Sequence, residues 1–120
     1  MTFDEAVAFA LTLRDTERGT SYGKPAVKVA SNGRAFLFPS HEPDTSFGVA
    51  IDLDSIEILM ETDPATFWQT PHYAGWEGVL IRYDSPDEER VRDVISRARD
   101  FVAAKPKARP RTMRKRSSRP

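Results

Sequence analysis

The chain is predicted to fold as an α+β domain, an antiparallel sheet with helices packed on one face. Two observations carry this. Short runs of strand character, "PAVKVA", "RAFLFP" and "FGVAIDL", follow one another across tight-turn residues, which favours hairpins over crossovers. Stretches of helical period then precede and follow this meander, and each needs an apolar surface to cover.

The first helix opens on Thr2 and Glu5, a T-x-x-E capping box in which each side chain can satisfy an orphan amide of the first turn. Phe3, Ala6, Ala10 and Leu13 continue at helical spacing, widened by Val7 and Phe9. Gly19, Gly23 and Pro25 punctuate the stretch "DTERGTSYGKP", which reads as a loop. Val27 and Val29 share one face of the first strand, and Asn32-Gly33 is the hairpin signal that turns it into "RAFLFP". "HEPDTS" is a second loop, and Phe47, Val49, Ile51 and Leu53 alternate along the third strand.

Ile56, Leu59 and Met60 give the next helix its apolar face, with Asp54 as its cap. Asp63 before Pro64 restarts a short helical turn. "GVLIRY" is the fourth main strand. Ser85-Pro86 with Glu88 forms a second capping box, and Val91, Val94, Ile95, Ala98, Phe101 and Val102 mark the last helix.

Periodicity stops at Lys105, so residues 1–104 are expected to form the domain and 105–120 a disordered basic tail. The charge changes there too. The chain has zero net charge, but "KPKARPRTMRKRSSRP" contains eight Lys or Arg and no acid, leaving ten basic and eighteen acidic groups before it, a balance of −8. Lys105, Lys107, Arg109, Arg111, Arg114, Lys115, Arg116 and Arg119 are the footprint that phosphate neutralisation requires. They offer no means of reading sequence, and a solvated, solubilising extension is the competing interpretation.

Several classes are not supported. No cysteine is present, which removes thiol nucleophiles, disulfides and thiolate zinc sites. His41 and His72 lack metal-ligand spacing, and no nucleotide-cradle or G-x-S-x-G motif occurs. Asp87, Glu88 and Glu89 read as complements to a helix dipole rather than as metal ligands. A non-enzymatic role with neither cofactor nor metal is the expectation. No apolar run is long enough to span a bilayer, and the acidic start "MTFDEAVAFALTLRD" is unlike a signal peptide, so a cytoplasmic protein that does not enter membranes is expected.

The densest stretch in unusual residues is "TPHYAGWEGVLIRY". Its aromatics either close the end of the core with a polar tip in water or present His72, Tyr73 and Trp76 for stacking on bases or a flat ligand. "GTSYGKPAVKV", "DPATFWQTPHYAGWEGVLIRY" and the amphipathic C-terminal helix together resemble the MmcQ/YjbR family of small bacterial proteins, over residues 1 to about 104. The resemblance implies a double-wing fold whose β-hairpins embrace DNA, with one wing around Asn32-Gly33.

Three functions follow as expectations. In the first, the tail gives nonspecific contact to DNA or RNA, and Lys24, Lys28, Arg34 and Arg82 line the docking face of the meander, where Lys28 and Arg82 can share one sheet face. In the second, Tyr22, Lys28, His72, Tyr73, Trp76 and Arg82 line a pocket for a small anion or carboxylate. In the third, the aromatic patch meets another protein.

Overall fold

The computed structural model describes residues 1–108. Residues 109–120 lie outside the described residues, and with them Arg109, Arg111, Arg114, Lys115, Arg116 and Arg119.

Alternating apolar residues place a single layer of side chains under the helices. The strands are β1 (Thr16–Ser21), β2 (Lys24–Val29), β3 (Ala35–Pro39), β4 (Ser46–Ala50), β5 (Phe67–Trp68) and β6 (Gly78–Arg82). They form one sheet in the order β1-β2-β3-β4-β6-β5, and every neighbouring pair is antiparallel. Val27, Leu37, Val49 and Val79 stand in register across four strands and are all buried. Buried residues of the helices α1 (Phe3–Ala10), α2 (Leu53–Thr62) and α3 (Glu88–Ala103) join the same core, so the α+β class with helices on one sheet face is observed. Among the described residues no helix is long and apolar enough to cross a membrane.

The Thr2/Glu5 capping box forms as its spacing dictates: the Thr2 amide donates to Glu5 Oε1 at 2.8 Å, and the Glu5 amide donates to Thr2 Oγ1 at 3.1 Å. The first of these, donated by the Thr2 amide to the carboxylate, holds the Glu5 carboxyl below its ordinary pKa. The stripe of α3 buries Val91, Val94, Ile95, Ala98 and Val102 as expected. The other helix starts differ. Asp52 rather than Asp54 caps α2, accepting from the Ser55 amide at 3.0 Å and from its hydroxyl at 2.8 Å. Asp87 caps α3, while Ser85 Oγ instead accepts from Thr66 and from the Asp87 amide. In both cases an aspartate one turn before the apolar stripe reaches the orphan amides with better geometry.

Three further differences concern strands. The stretch "TERGTS", read as a loop, is the edge strand β1; an edge strand facing water on one side needs no apolar alternation. Asp63 closes α2 and accepts from the Thr66 and Phe67 amides, so the chain turns into β5 rather than restarting a helix. The two-residue turn lies at Tyr22–Gly23, not at Asn32-Gly33. Ser21 pairs with Lys24, and both central residues have positive φ (53° and 78°), as a type I′ turn requires. Between β2 and β3 the loop spans residues 30–34, and only Gly33 has positive φ there.

Tyr22 is 92% exposed in this left-handed conformation, so its ring returns nothing for the strain. Tyr22→Asn is expected to stabilise the chain by about 1 kcal/mol, because Asn tolerates that region. Thermal unfolding of the variant checks this, and an unchanged or lower Tm would contradict the turn assignment.

Where β2 meets β3 the register slips: Val27 faces Leu37 but Lys28 faces Ala35, leaving Phe36 as the extra residue. This bulge lets Phe36 and Leu37, adjacent in sequence, both enter the core.

Candidate functional site

The face of the sheet opposite the helices is not bare. Strand alternation turns Gly48, Leu80 and Trp68 to this side in one registered row, beside Phe38. The segment 69–77 folds over it. Pro71–Tyr73 form a single 3-10 turn, and Gln69 Nε2 donates to the carbonyls of Tyr73, Trp76 and Gly78 at 3.4, 3.4 and 2.8 Å, which fixes the loop's curvature. Tyr73 is buried and Leu80 is wholly so, although neither side chain meets the helices.

Trp76 closes the cover. Its ring stacks on Tyr73 (centroids 5.1 Å apart, 21° between planes) and lies 5.9 Å from Phe38. The edge of its six-membered ring rests on Gly78, where any Cβ would collide with it. Even so, 48% of the residue faces solvent. A rigid indole half in water costs little ordering entropy when a flat partner stacks on it.

His41, from the loop after β3, joins the rim of this cluster. Its ring is 4.1 Å from His72 in an edge-on arrangement and 5.4 Å from Tyr73. Burial pushes the Tyr73 phenol above its ordinary pKa, with a backbone hydrogen bond from His41 opposing it. Sequence spacing gave no sign of this histidine pair, since thirty-one residues separate its members. Among the described residues no group of three or more His, Cys, Asp or Glu is placed to hold a metal ion.

The predicted pocket residues do not converge on one cavity. His72, Tyr73 and Trp76 are neighbours in the aromatic cover. Arg82 lies on the same face at the other end of β6, its guanidinium 4.4 Å above the Trp68 ring. Trp68 Nε1 in turn donates to Ser46 Oγ at 3.0 Å. Lys28 is three strands away on β2, opposite Glu17 and packed over Gly19. Tyr22 stands at the tip of the β1–β2 turn. Lys28 and Arg82 do share the helix-free face, as the alternation of their strands requires.

The most consequential contacts join distant parts of the sequence at one end of the sheet. Asn32, 5% exposed, donates from Nδ2 to the carbonyls of Val102 (2.8 Å) and Lys105 (3.2 Å), and its own carbonyl accepts from the Ala108 amide at 2.7 Å. Arg34 Nε donates to the Pro106 carbonyl at 2.6 Å. Lys105 Nζ pairs with Glu77 Oε1 at 3.2 Å and lies 4.6 Å over the Phe101 ring. The first residues of the basic segment are therefore fastened between the 30–34 loop and Glu77, the residue next to Trp76. Lys28 and Gly78 each lie one residue past the Val27–Leu37–Val49–Val79 row toward this same end. Among the described residues Lys24, Lys28, Arg34, Arg82 and Lys107 have no carboxylate within ion-pair distance.

No family model, curated protein or solved structure matches the chain.

Proposed function

We propose that the chain is a non-enzymatic nucleic-acid-binding domain, in which the basic segment from Lys105 to Arg119 neutralises phosphates and the sheet end that roots it orients the contact. The observation that carries this reading is the root itself. Asn32, Arg34 and Glu77 hold residues 105–108 in place, so a run of eight cations starts at a defined position, next to the neighbour of Trp76 and at the sheet end where Lys28 also lies. A tether serving only solubility has no need of a buried asparagine at its base. The resemblance of "SYGKPAVKV" and "TPHYAGW" to the MmcQ/YjbR family supports the same reading. In a double-wing arrangement, the loop around Asn32-Gly33 that roots the basic segment is the wing we propose to approach nucleic acid.

The reading is tested by fluorescence anisotropy of the full chain on labelled DNA across a salt series. With six phosphate contacts, the logarithm of affinity is expected to fall against the logarithm of salt with a slope of about −4 for single strands and about −5 for duplex. A flat dependence, or no binding at about 50 mM salt, would overturn it.

One observation favours a second reading. Arg82 lies over Trp68 with no carboxylate partner among the described residues, so the edge of its guanidinium is free for a small anion or a carboxylate ligand. A rise in Tm with added phosphate that disappears in Arg82→Gln would support it.

A further inference from the structure

Resting on the nucleic-acid reading, we infer that the form bound is single-stranded and that Trp76 is the platform on which one of its bases stacks. Trp76 is held on three sides: Tyr73 lies against one face of its ring, Gly78 under its edge, and Phe38 beside it. Its loop is pinned by the three Gln69 hydrogen bonds. The exposed part of the indole needs no rearrangement to receive a second flat group.

Charge stands where a strand stacked there would carry its phosphates. The residue after Trp76 is Glu77, whose carboxylate is paired with Lys105, the first cation of the basic segment. Lys28 lies on the same sheet face at the same end, three strand spacings from Gly78, or roughly 14 Å. A strand crossing this end therefore meets an aromatic ring, Lys28 on the same face with no carboxylate partner among the described residues, and the start of the basic segment rooted beside Glu77. Such a combination of stacking and cationic groups binds single strands without regard to sequence.

Duplex DNA fits less well for two reasons. Its base faces are covered by their neighbours, leaving Trp76 without a partner. A duplex also presents a broad polyanionic surface to a body carrying −8 over residues 1–104, whereas a single strand touches a narrow strip.

The test compares a single strand of about 12 nucleotides with a duplex of the same length, a span within the range that one small domain occupies. The full chain is expected to bind the single strand at least about tenfold more tightly, with saturable quenching of tryptophan fluorescence. Trp76→Leu keeps apolar cover over Gly78 but removes the π-face. It is expected to lose about tenfold or more on the single strand and nothing on the duplex. Trp76→Phe, which keeps a ring, should retain most of the affinity while losing the quenching. Equal affinity for both forms with Trp76→Leu neutral would overturn the inference and leave the nucleic-acid reading intact. Failure to bind either form at low salt would overturn both. Should Trp76→Leu not fold, the unaltered chain and Trp76→Phe decide: no quenching on single-strand binding contradicts stacking.

Discussion

Phe36→Ala is expected to destabilise the chain by about 3–5 kcal/mol, while Phe38→Ala, two residues on, costs about half as much or less. The contrast follows from the bulge. Phe36 is the unpaired extra residue of β3, yet it is wholly buried in the core beneath the helices. Removing its ring forfeits the transfer energy of a large apolar group and opens a cavity that the surrounding strands and α3 cannot collapse to fill. Phe38 is half-buried on the other face, against Trp76 and Gly48. There the 69–77 loop can settle onto the space left behind. Urea unfolding of the two variants reads the difference directly. If both lose the same stability, the bulge does not turn Phe36 into the core.

The second large effect concerns affinity. Replacing Lys107, Arg109, Arg111, Arg114, Lys115, Arg116 and Arg119 with Gln is expected to lower nucleic-acid affinity at low salt by about a thousandfold, or about 4 kcal/mol. Lys105 is kept because it pairs with Glu77 and packs on Phe101, so the root of the segment survives. The chain would then carry a net charge of −7, and the electrostatic approach of a polyanion reverses from attraction to repulsion. The salt slope should shrink toward zero, since no condensed counterions are released when no phosphate is neutralised. Thermal unfolding should barely change, because Lys107 is exposed and the contacts of Asn32, Arg34 and Lys105 that root the segment are all kept. Retained affinity with an unchanged slope would move the binding element onto the sheet, to Lys24, Lys28 and Arg82.

Much of the helix layer was legible from the chain. A capping box is a contact three residues long, and the stripe of α3 repeats over four turns, so both are local signals that survive without tertiary knowledge. The alternation of Phe47, Val49 and Ile51 was equally plain. β1 was not, because its burial is almost entirely that of its partner: "TERGTS" becomes a strand only by pairing with "KPAVKV". The turn joining them hides behind a tyrosine in a conformation that tyrosine seldom adopts. Asn32 read as a turn residue because Asn-Gly marks hairpins; its actual work is to bond across seventy residues to Val102. The site has the same character. The aromatic stretch 70–83 was conspicuous, but His41 beside His72, Lys105 on Glu77 and Arg34 on the Pro106 carbonyl are all long-range contacts that no spacing rule encodes.

In the proposed function, nucleic acid engages the sheet end where the basic segment is rooted. The most direct measurement is an NMR titration of the isotope-labelled full chain with a short single strand. Shifts are expected to concentrate on the Trp76 indole, the Lys28 and Arg34 amides and the residues from Lys105 onward, with Tyr22, the Arg82–Trp68 pair and α2 unmoved. Shifts centred on the β1–β2 tip, on Arg82 or on the helix layer, with Trp76 and Lys105 silent, would contradict it.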